Sequence, residues 1–219
     1  MSFLDDTKNV GTAIWAIGII EIIAAIITIV MAFVDDDLND DVAVWVVIGI
    51  GELICAIVYF AFGQRIRGGK QVHNKVVDKL DVTAGSETSS KFGVITGLVM
   101  VVGYVTVIMG IFYLIAGCCN FDDFGGYVTS GIVMIILGII VLWIYKKITD
   151  STVGTFDKVM WIVLVIIFIL GIIFSLVGMF GGDGIRLILS LIIGILNLII
   201  YLCVTVWMFD DDVKAKFGM

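Results

Sequence analysis

Apolar residues fill six long stretches of the chain, at 10–34, 42–63, 92–118, 127–145, 159–180 and 185–209, and most polar residues lie between them. Within a stretch the apolar positions cover every side of a helical projection and do not alternate. That excludes barrel strands, which carry a polar lumen face, and surface helices of soluble domains, which carry a polar stripe. A helix rises about 1.5 Å per residue and needs roughly 20 residues to cross about 30 Å of hydrocarbon. The shortest stretch has 19 residues, so each can span. Backbone amides in lipid must bond within their own segment, and no proline interrupts the ladder anywhere in the chain. The expected fold is all-α and integral to a membrane: a single domain over 1–219 with six transmembrane helices.

The connections alternate in length and charge. Turns 35–41, 119–126 and 181–184 are short and hold Asp35, Asp36, Asp37, Asp40, Asp41, Asp122, Asp123 and Asp183. The other connections are longer, so the helices pair as three tandem helical hairpins. Twelve of the thirteen lysines and arginines fall on the side of the two termini. By the positive-inside rule both termini are cytoplasmic. The first helix has neither a basic leader nor a small-residue cleavage pattern, so it is expected to be a retained anchor. Segment 64–91 is expected to be a cytoplasmic loop. Within it Val72, Val76, Val77 and Leu80 recur at helical spacing among Lys75, Asp78 and Lys79. A short amphipathic helix on the membrane surface follows, its basic excess favouring anionic headgroups. The charged run 210–217 resembles the tails of prokaryotic plasma-membrane proteins, which gives the expected location.

Composition agrees: 61% apolar, 15% charged, mean hydropathy +1.17, against about 25% charged residues in soluble domains. A net charge of −7 has the wrong sign for a nucleic-acid partner. Cys118 and Cys119 are adjacent, Cys55 and Cys203 fall inside helices, and His73 is the single histidine. No disulfide framework, metal centre or cofactor is expected from that set. The longest segment outside the membrane is too small for a catalytic domain, and no nucleophile–base pair or nucleotide fingerprint is present, so the chain reads as no enzyme.

Glycine spacing carries packing information. Gly11 and Gly18, then Gly103, Gly110 and Gly117, then Gly131 and Gly138, then Gly171 and Gly178 stand seven apart. A seven-residue period keeps one side of a helix on a left-handed seam where glycine lets a neighbouring backbone approach. Gly-Ile strings recur in all six helices and point to a duplicated hairpin unit. The seams lead to association as the expected function: a non-catalytic small subunit, scaffold or homo-oligomer, whose partners are membrane lipids and itself or other membrane proteins.

Three polar side chains, Glu21, Glu52 and Asn197, fall near the midplane, each three positions after a glycine and hence on the glycine side of its helix. A carboxylate at that depth costs about 2.5–3.5 kcal/mol on insertion scales and calls for a partner or a proton. Either they form a proton or cation site, making the protein a transporter or channel, or they clamp helices together by hydrogen bonds. The turn holding Asp35, Asp37 and Asp40 begins like an EF-hand but lacks the glycine at its sixth place and the glutamate at its twelfth. A solvated outer face is its expected role, a loose divalent patch the alternative.

Overall fold

A computed structural model describes residues 5–34, 41–68, 90–120, 123–149, 153–180 and 184–219. The amphipathic segment 72–80, His73 and Asp35, Asp37 and Asp40 lie outside the described residues. The described chain is helical throughout and contains no strand. Six long helices run α1 Thr7–Val34, α2 Val42–Ile66, α3 Lys91–Cys119, α4 Phe124–Ile148, α5 Thr155–Gly178 and α6 Gly184–Trp207, followed by a short α7, Asp211–Lys216. All six long helices are long and apolar enough to cross a membrane. The chain is therefore an all-α, multi-pass membrane protein.

Helix ends run past the apolar stretches where polar residues can still propagate the ladder. Gln64 and Arg65 extend α2, and Lys146 and Lys147 extend α4. Basic side chains in a last turn also favour the negative end of the helix dipole. The start of α3 is set by Ser90, whose hydroxyl accepts from the Gly93 amide at 2.9 Å. Asp157, at the third position of α5, accepts from the Gly154 amide at 2.6 Å. Two ends fall short of expectation: α5 stops at Gly178, not residue 180, and α6 stops at Trp207, not residue 209. At the second, the Met208 carbonyl accepts the Trp161 indole N–H at 2.7 Å, and the chain turns directly into α7.

Antiparallel pairs α1–α2, α3–α4 and α5–α6 form the three hairpins, the third the least extensive. Between hairpins α2 packs on α3 and α1 on α6. Both termini emerge at one end of the bundle, where Lys91 Nζ bridges Asp5 Oδ1 at 3.0 Å and Asp210 Oδ2 at 2.6 Å. One ammonium thus joins the N-terminal approach to α1, the start of α3 and the turn after α6. At the opposite end Asn120 Nδ2 donates to Asp41 Oδ1 at 2.8 Å, tying α3 to α2.

Packing is unequal along the bundle. The main core draws on all the helices at the end that holds the termini: Ile14 from α1, Phe62 from α2, Ile95 from α3, Leu164 from α5, and Trp207 from α6. Val213 and Phe217, four apart, close it from below, with Phe217 edge-on to Phe92 at 5.6 Å between centroids. Toward the opposite end only a small cluster remains, Val44 and Ile48 on α2 with Ala116 on α3. There Phe174 and Val177 of α5 and Ile188 of α6 are exposed. In a bilayer such side chains face acyl chains.

Candidate functional site

Three kinds of residue were singled out by spacing: seam glycines, midplane polar groups and outer aspartates. The glycines are largely spent inside the hairpins. On α3 and α4, Gly110 and Gly131 stand back to back. A Cβ built on either would lie 2.8 Å from the other's carbonyl oxygen. Two turns away, a Cβ on Gly138 would meet the Gly103 carbonyl at 2.9 Å, and one on Gly103 the Leu142 side chain at 2.8 Å. Gly117 is looser, with Tyr127 and Val128 at 3.1 Å. On α1, Gly11 abuts Ile66 and Gly18 abuts the backbone of Phe60. Gly171 lies under the ring of Tyr201. Gly178 departs from expectation: a Cβ there meets no described atom within 4 Å, because it lies on an exposed side of α5 while Ser175 and Met179 beside it meet Gly194 of α6. Close approaches outside the seven-residue pairs include Gly49 against Ile29, Gly63 against the Trp15 backbone and Gly194 against Met179. Gly49 and Gly63 share the α1-facing side of α2 fourteen positions apart, with Ala56 where the period would put a glycine, and Gly194 has no glycine seven positions away.

Glu21 and Glu52 come together. Glu21 lies midway along the 28 residues of α1, and Glu52 near the middle of the 25 of α2. Both line a half-open cavity of about 320 Å³ between α1, α2 and α3, close enough for Glu21 to feel the charge of Glu52. The cavity occupies the gap between the two cores. Tyr59 and Val105 on its wall pack against the main core, and Met109 packs against the small cluster. Thr28 and Cys55 complete its polar lining. The Cys55 thiol makes a weak contact with the Val105 carbonyl at 3.7 Å. Glu21 has neither a hydrogen bond nor an ion pair among the described residues.

Three of these lining residues were absent from the expected site. Helical periodicity held the signal for all of them. Thr28 is seven positions after Glu21, and Cys55 and Tyr59 are three and seven after Glu52, so each shares its acid's face.

Asn197 lies elsewhere. It lines a second, larger cavity of about 550 Å³ between α5 and α6, with Ser175, Ser190 and Tyr201. Tyr59 lines the acidic cavity and Tyr201 the one that holds the asparagine. The remaining intramembrane hydroxyls are turned to their own helices. Thr106 donates to Val102 at 2.7 Å, Ser175 to Gly171 at 2.7 Å and Thr205 to Tyr201 at 2.6 Å. No group of three or more metal-ligating side chains exists among the described residues, and the four cysteines are free thiols.

An acid pair in a cavity halfway along its helices can hold protons or bind a cation. No protein-family model, curated protein or solved structure matches the chain.

Proposed function

We propose that the protein handles protons or small cations inside the membrane, as a transporter or channel working through the cavity of Glu21 and Glu52. The supporting observation is Glu21 itself: a carboxyl group at midplane depth faces a cavity and has no cationic neighbour on its walls. Ionisable groups so placed are costly and ordinarily serve a pathway or a bound charge. We take the protein to be non-catalytic and to reside in a prokaryotic plasma membrane with both termini cytoplasmic, its basic loop facing anionic headgroups. In proteoliposomes the intact protein is expected to carry a proton or monovalent-cation flux that the Glu21→Gln, Glu52→Gln double variant abolishes. Absence of flux from a folded wild-type protein, or equal flux from both proteins, sinks this reading.

A second reading, assembly into a homo-oligomer or larger membrane complex, has one observation in its favour. The Asn197 amide, both donor and acceptor, borders the open α5–α6 cavity and makes no hydrogen bond among the described residues. Interhelical amide pairs in lipid contribute about 0.6–2 kcal/mol, and a two-fold contact would satisfy both copies. The mass of the particle in gentle detergent tests it. Asn197→Leu is expected to shift a multimer toward monomer, and a wild-type protein that is already monomeric removes the support.

A further inference from the structure

We propose that the cavity between α1, α2 and α3 binds a small organic cation, an amine or quaternary ammonium with an apolar body, and not a bare metal ion. The inference rests on the cation reading above and adds the class of ligand. Size is the first ground. At about 320 Å³ the cavity lies at the lower end of the range for organic ligands, roughly 300–1,000 Å³, whereas a dehydrated metal ion would leave most of it unfilled. Donor chemistry is the second. Divalent cations such as calcium take about six to eight oxygens, and the walls reach six only if both carboxylates bind through both oxygens beside the two hydroxyls; among the described residues no group of three or more His, Cys, Asp or Glu side chains is placed to hold a metal.

The rest of the lining suits a hydrocarbon-bearing charge. Ala24, Val105 and Met109 present apolar surface, and the thioether of Met109 adapts to irregular shapes. Tyr59 adds an aromatic ring of the kind that attracts ammonium groups. Two hydroxyls on the walls also await a partner. Thr12, Thr96, Thr106 and Thr205 each donate to the carbonyl four residues back, but Thr28 makes no hydrogen bond among the described residues. The half-buried Tyr59, also on the cavity wall, makes none either among the described residues. Polar groups left unpaired at this depth, around two acids and beside apolar walls, match a ligand that is charged at one point and greasy elsewhere.

Benzyltrimethylammonium is the probe, since its charge cannot be lost by deprotonation. Equilibrium dialysis against the purified full chain in gentle detergent is expected to show saturable, one-site binding. Glu21→Gln and Glu52→Gln should each weaken it by about thirtyfold or more, the loss for removing one partner of a desolvated charge pair. Met109→Trp, which keeps both carboxylates and fills the cavity, should abolish it while thermal melting shows the fold retained. Undiminished binding in the glutamine variants or in Met109→Trp overturns the proposal. So does the absence of probe binding to a folded wild-type protein. In that case radiolabelled sodium and calcium, dialysed in parallel, and the proton flux of reconstituted protein separate the failures. A signal from any of them leaves the cation reading standing without the organic ligand, and silence from all of them removes both.

Discussion

Gly110→Leu should separate α3 from α4. The substituted side chain would have to occupy space held by the Gly131 carbonyl oxygen at 2.8 Å and the Ile135 amide nitrogen at 2.9 Å. Backbone cannot rotate away as a side chain can, so the cost belongs at the upper end for overpacking, about 3 kcal/mol. Gly131→Leu meets the same wall from the other side. Gly178→Ala is the matched control, because it adds a Cβ where no described atom lies within 4 Å. Its effect should stay within about 0.5 kcal/mol. Thermal unfolding in a mild detergent, followed by helical circular dichroism, ranks the three. Equal midpoints for Gly110→Leu and the wild type would mean that the α3–α4 seam is not a contact.

Trp207→Ala should cost about as much or more, by the opposite mechanism. The indole is fully buried where α6 ends, among side chains drawn from several helices. Truncating it leaves a void that well-packed neighbours refill only in part, typically at about 3–5 kcal/mol for a buried tryptophan. Phe174→Ala, on the thinly packed end and 69% exposed, removes a comparably large ring and should change the melting midpoint little. A similar loss at both sites would contradict the unequal distribution of packing along the bundle.

Much of the fold was legible because crossing lipid imposes a length and forbids polar faces, and both constraints act along the chain. Depth could likewise be counted from the apolar ends, which places Glu21, Glu52 and Asn197 near the middle of their helices. Azimuth is a different matter. Whether two midplane groups meet depends on the order of helices around the bundle, and that order arises from α2 on α3 and α1 on α6, contacts between residues far apart in sequence. Hence Glu21 and Glu52, on one short-turned hairpin, share a cavity, while Asn197 borders another.

The short helix α7 escaped notice because six residues are too few for an apolar stretch. Its signal was the pair Val213 and Phe217, set four apart among Asp211, Asp212, Lys214 and Lys216. Seven-residue glycine periods located the α3–α4 seam, where both helices carry the repeat. They overreached at Gly178, since a period along one helix does not say which of its sides the neighbour covers, and α6 meets α5 through Ser175 and Met179 instead. The ends of α5 and α6 were misjudged for a related reason. Apolar residues continue past both, but Met179 and Phe180 leave the ladder as a turn, and Met208 and Phe209 do the same.

The Asp5–Lys91–Asp210 bridge at one end of the bundle and the Asn120–Asp41 hydrogen bond at the other bracket the acid-lined chamber lengthwise. A beam held at both supports bows most at mid-span, and Glu52 on α2 and Met109 on α3 stand on that middle stretch. Widening or narrowing the chamber therefore asks for bending of α2 and α3 and leaves both ties in place.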